Sequence, residues 1–390
     1  MATLEVTVNG LRLPNPFVIA SGPPGTNANV IAKAFDEGWG AVVSKTACLD
    51  AGRIVNVSPR YARLRVGGPH AASRNGHGPA GEIVGWENIE LISDRPFEDW
   101  LDDFKRLKKQ YPDRILIASI TEGCSRRAWE EIVERTQATG VDALELNFSC
   151  PHGLPERKMG SAIGQDADLV REICGWVRRV SRVPVWAKMT PNITDIAAPA
   201  RAAIEAGCDG ISAINTVLSI MEVNLETLRP EPAVDGFSTA GGYSGRAIRP
   251  IALRMASQVA RVIEQAAGAG AQRRPTLSAM GGIESGGDAA QFILLGAACV
   301  QVCTGVMIHG YRLIRRLTAE LEAFMDRHGF GSIDEFRARS LHYLTSHSEL
   351  VRIQRGARAD GPRANGEIVV RADSHWTADR FVQQSDQLAR

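Results

Sequence analysis

The chain has 390 residues, 44% apolar and 23% charged, with 45 basic against 44 acidic side chains and a formal charge of +1. That globular composition excludes disorder, collagen and coiled coil as readings of the whole chain, and the balanced charge offers no footprint for nucleic acid or an anionic membrane. No apolar run reaches the roughly 18 residues of a membrane span and the opening MATLEVTVNG lacks a secretory leader's features, so a cytoplasmic protein with no membrane partner is expected.

In chain order, the first predicted element is a hairpin, Leu4–Val8 and Leu11–Leu13 about an Asn9-Gly10 turn. Phe17–Ser21 follows as an apolar strand, then a helix over 27–37 stopped by Gly38, then the strand Ala41–Lys45. Residues 46–95 read as irregular and glycine-rich, most of all 67–85, before a helix over 99–110. Strand and helix then alternate. The strands are Ile115–Ile120, Ala143–Phe148, Val183–Met189, Gly210–Asn215, Thr276–Ala279 and Cys299–Cys303. The helices are 125–139, 166–180, 195–206, 249–267, 286–295 and 309–328, several of them ending at a glycine. Ile333–Leu344 is predicted as one more helix, and Glu367–Arg371 as a strand in a polar tail.

Eight almost wholly apolar strands, each followed by a helix or a helix-bearing connection, are the pattern of parallel strands buried on both faces. They predict an α/β fold, a (β/α)8 barrel over 1–330 with an N-terminal β-hairpin, and a C-terminal extension over 331–390. An open doubly wound sheet would place a phosphate-binding glycine turn after the first strand; Gly22-Pro23-Pro24-Gly25 stands there instead.

A barrel of this kind builds its site at the C-terminal ends of its strands. Polar or reactive groups stand at almost every one: Ser21, Lys45-Thr46, Asn147 to Gly153, Lys188 to Asn192, Asn215-Thr216, Met280-Gly281-Gly282 and Cys303-Thr304-Gly305. Only seven of the 45 basic residues are lysine. Two of these, Lys45 and Lys188, close apolar strands, where an ammonium needs either an anionic ligand or a buried carboxylate. Gly281-Gly282 before a helix at 286, with Thr304 after the last strand, can face a phosphate. Asn88, Asn147, Asn192 and Asn215 can match a ring of alternating N–H and C=O groups, or serve as turn residues. Cys150 leaves a strand with His152 two residues on, and suits a proton donor or nucleophile. The other cysteines, 48, 124, 174, 208, 299 and 303, form no C-x-x-C pair, and the eight histidines, His70 and His77 among them, form no ligand motif, so no metal is expected.

The run Leu144 to Gly153, continuing to Met159-Gly160 and Gly164-Gln165-Asp166, resembles the pyrimidine-reducing domain of the dihydropyrimidine dehydrogenases and their bacterial catalytic subunits. So do Asn88–Ser93, Ala187–Asn192, Asn215-Thr216, Gly241–Gly245 and Ala247–Ile251. The likeness spans about residues 5 to 345, with the dihydroorotate dehydrogenases as more distant relatives. It implies an FMN-bearing barrel in which Ser21, Lys45, Thr46, Lys188, Gly245, Met280, Gly281, Gly282, Cys303 and Thr304 hold the flavin. Asn88, Glu90, Asn147, Ser149, Asn215 and Thr216 would hydrogen-bond the pyrimidine, and the loop 150–165 would close over it. It also implies the chemistry: a hydride passes between flavin N5 and C6 of uracil, thymine or a similar cyclic amide, and Cys150 protonates C5.

Two departures stand out. The loop 67–85 is longer than the family pattern, and no cysteine follows Cys303, where the bacterial subunits carry a ferredoxin module. No iron–sulfur cluster is therefore expected in this chain; NAD(P)H directly, a separate electron-transfer subunit, or reoxidation by oxygen or a quinone all stand open as the electron route. A homo-oligomer is expected. The alternatives are a dihydroorotate dehydrogenase, against which a carboxylate at Glu90 would argue by repelling orotate, and a flavin-binding subunit of a larger complex.

Overall fold

The computed structural model describes residues 2–65, 81–151, 158–268 and 274–359. Its contacts divide the chain into two compact units, Met1–Leu341 and His342–Arg390.

In the first unit eight parallel strands close into a barrel. They are β1 (Phe17–Ile19), β2 (Ala41–Val43), β3 (Ile115–Ile120), β4 (Ala143–Asn147), β5 (Val185–Lys188), β6 (Gly210–Ala213), β7 (Thr276–Met280) and β8 (Ala297–Val302). They run in chain order round the barrel, and β8 pairs with β1 through Gln301↔Val18. Nearly every strand residue is buried, which is why the sequence carries them as unbroken apolar runs.

The hairpin Val6–Val8 and Leu11–Leu13 turns on Asn9 and Gly10, both at positive φ. It closes the N-terminal end of the barrel. Asn9 Nδ2 donates to the Asp209 carbonyl at 2.6 Å, while Asn9 Oδ1 accepts from Trp186 Nε1 at 2.8 Å and Thr276 Oγ1 at 2.6 Å. The opposite end is left for a site.

That end carries a feature the sequence reading missed. Residues 46–95 are not irregular throughout: Tyr61–Arg65 and Ile83–Asn88 are strands. They join Val217–Ser219 and Gly241–Ser244 in a four-stranded antiparallel sheet. The excursions after β2 and after β6 are thus one structure.

The helix predicted over 309–328 forms as Leu313–His328, and a separate short helix, Thr304–His309, precedes it and ends at Gly310. The helix predicted over Ile333–Leu344 is also corrected: only the short turns Ile333–Glu335 and Leu341–Tyr343 form. Two N–H groups of the segment between them go to the barrel instead, Ala338 to the Ile293 carbonyl and Ser340 to that of Leu294, each at 2.9 Å. The second unit contains the helix His347–Ala359. The strand predicted at Glu367–Arg371 lies outside the described residues, as do His70, His77, His152 and most of the loop 67–85.

Candidate active site

The C-terminal ends of the barrel strands and the four-stranded sheet line a cleft that is open to solvent. Every residue expected at the flavin lines it: Ser21, Lys45, Thr46, Lys188, Gly245, Met280, Gly281, Gly282, Cys303 and Thr304. Of those expected at the pyrimidine, Asn88, Glu90, Asn147, Asn215 and Thr216 line it too, with Cys150. Ser149 does not; it is fully buried behind the wall. Asn192 is a loop staple, its amide engaged with Thr190 Oγ1, the Thr216 carbonyl and the Leu218 N–H.

One hydrogen-bonded chain ties these strand ends together. Ser21 Oγ lies 3.2 Å from Thr46 Oγ1, which accepts from Asn147 Nδ2 at 2.9 Å. Asn147 Oδ1 accepts from Ser149 Oγ at 2.7 Å, and Ser149 Oγ accepts from Asn215 Nδ2 at 2.8 Å. Four strand ends, β1, β2, β4 and β6, are held in register, so the amides facing the cleft are fixed before any ligand arrives.

Both lysines have carboxylate partners. Lys45 Nζ is 2.6 Å from Glu90 Oε2, and Lys188 Nζ is 3.3 Å from Glu145 Oε1. Arg60 Nη1 takes the other oxygen of Glu90 at 3.0 Å. Tyr61 hydrogen-bonds the same carboxylate, and burial together with that negative charge pushes its phenol well above the usual range. The repulsion argument against an anionic substrate therefore fails: two cations face the one carboxylate.

Cys150 sits at the end of β4 in a small apolar cluster with Cys48, Ile54 and Ile92. Gly160 presses against it, and a Cβ there would lie 2.8 Å from the Cys150 carbonyl oxygen. Cys303 lies across the cleft. Burial pushes its thiol up to about 11, against the pull of Lys188 and Lys45, so it stays protonated at neutral pH.

The phosphate expectation narrows. The helix Gly286–Leu294 has its N-terminus already occupied by a capping box of Ser285 and Asp288, with Gly286 N–H donating to Glu320 at 2.7 Å. Gly281 and Gly282, at φ +139 and +72, and the Thr304-Gly305 start of the next helix remain on the cleft. Sequence reasoning missed three lining residues of consequence, Tyr61, Trp86 and Gln301. Gln301 is 1% exposed, and its Oε1 has no hydrogen-bond partner among the described residues.

Residues 3–325 match the family described as dihydroorotate dehydrogenase. The chain belongs to the dihydroorotate dehydrogenase family. It is 54% identical over 385 residues to a chloroplastic dihydropyrimidine dehydrogenase (NADP(+)) of Arabidopsis thaliana, covering 99% of this chain and 87% of that one. It is 41% identical over 332 residues to the NAD-dependent dihydropyrimidine dehydrogenase subunit PreA of Escherichia coli K12, covering 85% and 75%. The dihydroorotate dehydrogenase B (NAD(+)) catalytic subunit of Pyrococcus abyssi is 31% identical over 334 residues, covering 85% and 97%. A crystal structure of the Eimeria tenella dihydroorotate dehydrogenase, bound to ferulenol, shares the fold at a TM-score of 0.67 and 22% identity, over 86% of this chain and 88% of that one.

Members of the dihydroorotate dehydrogenase family are flavin-dependent oxidoreductases. The cleft fits such a group on its own evidence. Two buried ammonium groups, hydroxyls at 21, 46 and 304, and the orphaned acceptor of Gln301 suit a flat ring edged with donors and acceptors. The glycine turn at 281–282 leaves backbone bare for a phosphate.

Proposed function

We propose that this chain is the catalytic unit of a dihydropyrimidine dehydrogenase, reducing the C5=C6 bond of uracil, thymine or a similar cyclic amide, or oxidising it in reverse. The reading is carried by one observation: Cys150 and the amides of Asn88, Asn147 and Asn215 line the same cleft as Lys45 and Lys188. The identity to a chloroplastic dihydropyrimidine dehydrogenase along nearly the whole chain supports it.

In this reading Ser21, Lys45, Thr46, Lys188, Gly245, Met280, Gly281, Gly282, Cys303 and Thr304 hold FMN. When bound, FMN supplies the two-electron, hydride-transferring chemistry that side chains lack. The residues of the chain do the rest. Asn88, Asn147, Asn215 and Thr216 read the ring's carbonyl and N–H groups, with Ser149 supporting Asn147 and Asn215 from behind. Cys150 moves the proton at C5. Its apolar cluster with Ile54 and Ile92 keeps bulk water from that proton.

The electron source is NADH or NADPH, directly or through a separate subunit, as the cofactors named for the relatives suggest. An anaerobic assay of the pure chain with uracil, thymine and orotate, with and without NADH or NADPH, tests the reading. Flavin absorbance and bleaching reversed by uracil or thymine are expected. A colourless protein, or response to orotate alone, overturns it. The second outcome would fit dihydroorotate dehydrogenase, a reading favoured by the excess of cations around Glu90.

A further inference from the structure

Beneath the cleft, inside the barrel, side chains from three other strands close on one carboxylate. Glu145, in the middle of β4, is 0% exposed and does not line the cleft. Its Oε2 accepts from Ser212 Oγ of β6 at 2.7 Å and from Gln301 Nε2 of β8 at 2.8 Å. Its Oε1 faces Lys188 Nζ of β5 at 3.3 Å. Gln301 Nε2 also reaches Ser278 Oγ of β7 at 3.0 Å.

An apolar side chain of similar volume would pack this interior at least as well, because burying a charge carries a desolvation penalty. What the carboxylate adds is direction. It is acceptor-only, so it fixes the amide of Gln301 with Nε2 turned inward and Oε1 left without a partner. It likewise anchors the ammonium of Lys188 by one side, leaving the remaining donors free to point elsewhere. Lys188 and Gln301 both line the cleft.

We propose that Glu145 is the positioning residue of the site: it fixes how Lys188 and Gln301 are presented to the flavin, and its charge sets the flavin's reduction potential. The proposal rests on the flavin reading given above. A fixed negative charge close to the cleft opposes the uptake of electrons there, and the low dielectric of the barrel interior screens it poorly.

The test compares the purified holoprotein with Glu145→Gln, Glu145→Asp and Ser212→Ala, reading the two-electron potential by dye equilibration and FMN affinity by fluorescence quenching. Glu145→Gln is expected to shift the potential upward and to weaken FMN binding about tenfold or more. Glu145→Asp keeps the charge, so its potential should stay near wild type while its affinity falls. Ser212→Ala loosens the carboxylate without removing it, and a smaller loss of affinity is expected.

A purely structural role would lower the melting temperature of these variants and leave the potential unmoved. A folded Glu145→Gln with wild-type potential and affinity overturns the proposal. If that variant does not fold, wild-type affinity in both Glu145→Asp and Ser212→Ala overturns it instead. Positioning through Lys188 further requires that Glu145→Gln shift the potential less in a Lys188→Met background; an undiminished shift overturns that part. A wild-type chain that takes up no FMN defeats the flavin reading itself, which separates that failure from the failure of Glu145.

Discussion

Lys45 and Glu90 form a buried ion pair on the wall of the cleft, Nζ to Oε2 at 2.6 Å, with both side chains less than a tenth exposed. Arg60 and Tyr61 complete the surroundings of the carboxylate. Removing one partner of such a pair leaves an uncompensated buried charge, at a cost of about 3–5 kcal/mol. Glu90→Gln is therefore expected to lose stability on that scale in urea unfolding. It should also bind orotate more tightly than wild type, because two cations lose their counter-charge. Weaker orotate binding would contradict the electrostatic account.

Cys150 carries the proton in the proposed reaction. General acid catalysis contributes about 10²- to 10⁴-fold, so Cys150→Ala should lower anaerobic turnover of uracil by that range. FMN content should be unchanged, because the side chain also packs among Cys48, Ile54 and Ile92 rather than among the residues expected at the flavin. Undiminished substrate-dependent bleaching would remove Cys150 from the mechanism.

Gly281 has φ +139, and a Cβ there would lie 2.4 Å from the Cβ of Ala252. Neither backbone nor neighbour can absorb a side chain cheaply. Gly281→Ala is expected to purify with markedly less flavin and a lower melting temperature. Full flavin content would show that this turn is not part of the phosphate cradle.

Glu87, on the strand Ile83–Asn88, is fully buried. Its Oε2 accepts from Ser219 Oγ at 2.6 Å, and its other oxygen has no hydrogen-bond partner among the described residues. Burial raises its carboxyl above the usual range, against the pull of Ser219. The folded chain thus holds a proton that the unfolded chain releases sooner. The group's contribution to stability is complete below the ordinary carboxylate pKa and is lost as pH rises through the raised folded value. Glu87→Gln holds no such proton, so the stability of wild type relative to this variant should fall as pH climbs above the ordinary carboxylate pKa. Urea titrations at several pH values measure it; a difference that rises with pH has the wrong sign.

The barrel unit ends at Leu341 in the structure, eleven residues beyond the boundary drawn from sequence. Ile333, Phe336 and Leu341 are all but inaccessible, and losing a buried side chain of this size costs about 2–5 kcal/mol. A chain ended after Leu341 should keep the melting behaviour of the barrel, while one ended after Phe330 should melt much lower. Equal melting temperatures would show that these side chains contribute nothing.

The barrel was legible because each of its strands is buried on both faces, so Ile115–Ile120 or Ala297–Val302 reads as an apolar run without knowledge of its partners. The helix starts at Asn27, Asp166 and Ser285 were legible for a local reason, a side chain capping its own backbone. The four-stranded sheet was not. Its strands are three to six residues long and only partly buried, and Tyr243 pairs with Glu87 from far along the chain. The same holds at the cleft. Residues at strand ends could be picked out one at a time, whereas Glu145 and Gln301 sit inside strands and gain meaning only from each other, 156 positions apart.

The four-stranded sheet is contributed half by residues after β2 and half by residues after β6, and Asn88 and Thr216 both meet Gly242 at its seam. The rim of the cleft is thus a single cassette delivered in two instalments. Grafting one instalment from a relative with a different substrate would leave unmatched strand edges, whereas exchanging both together carries the pairing along.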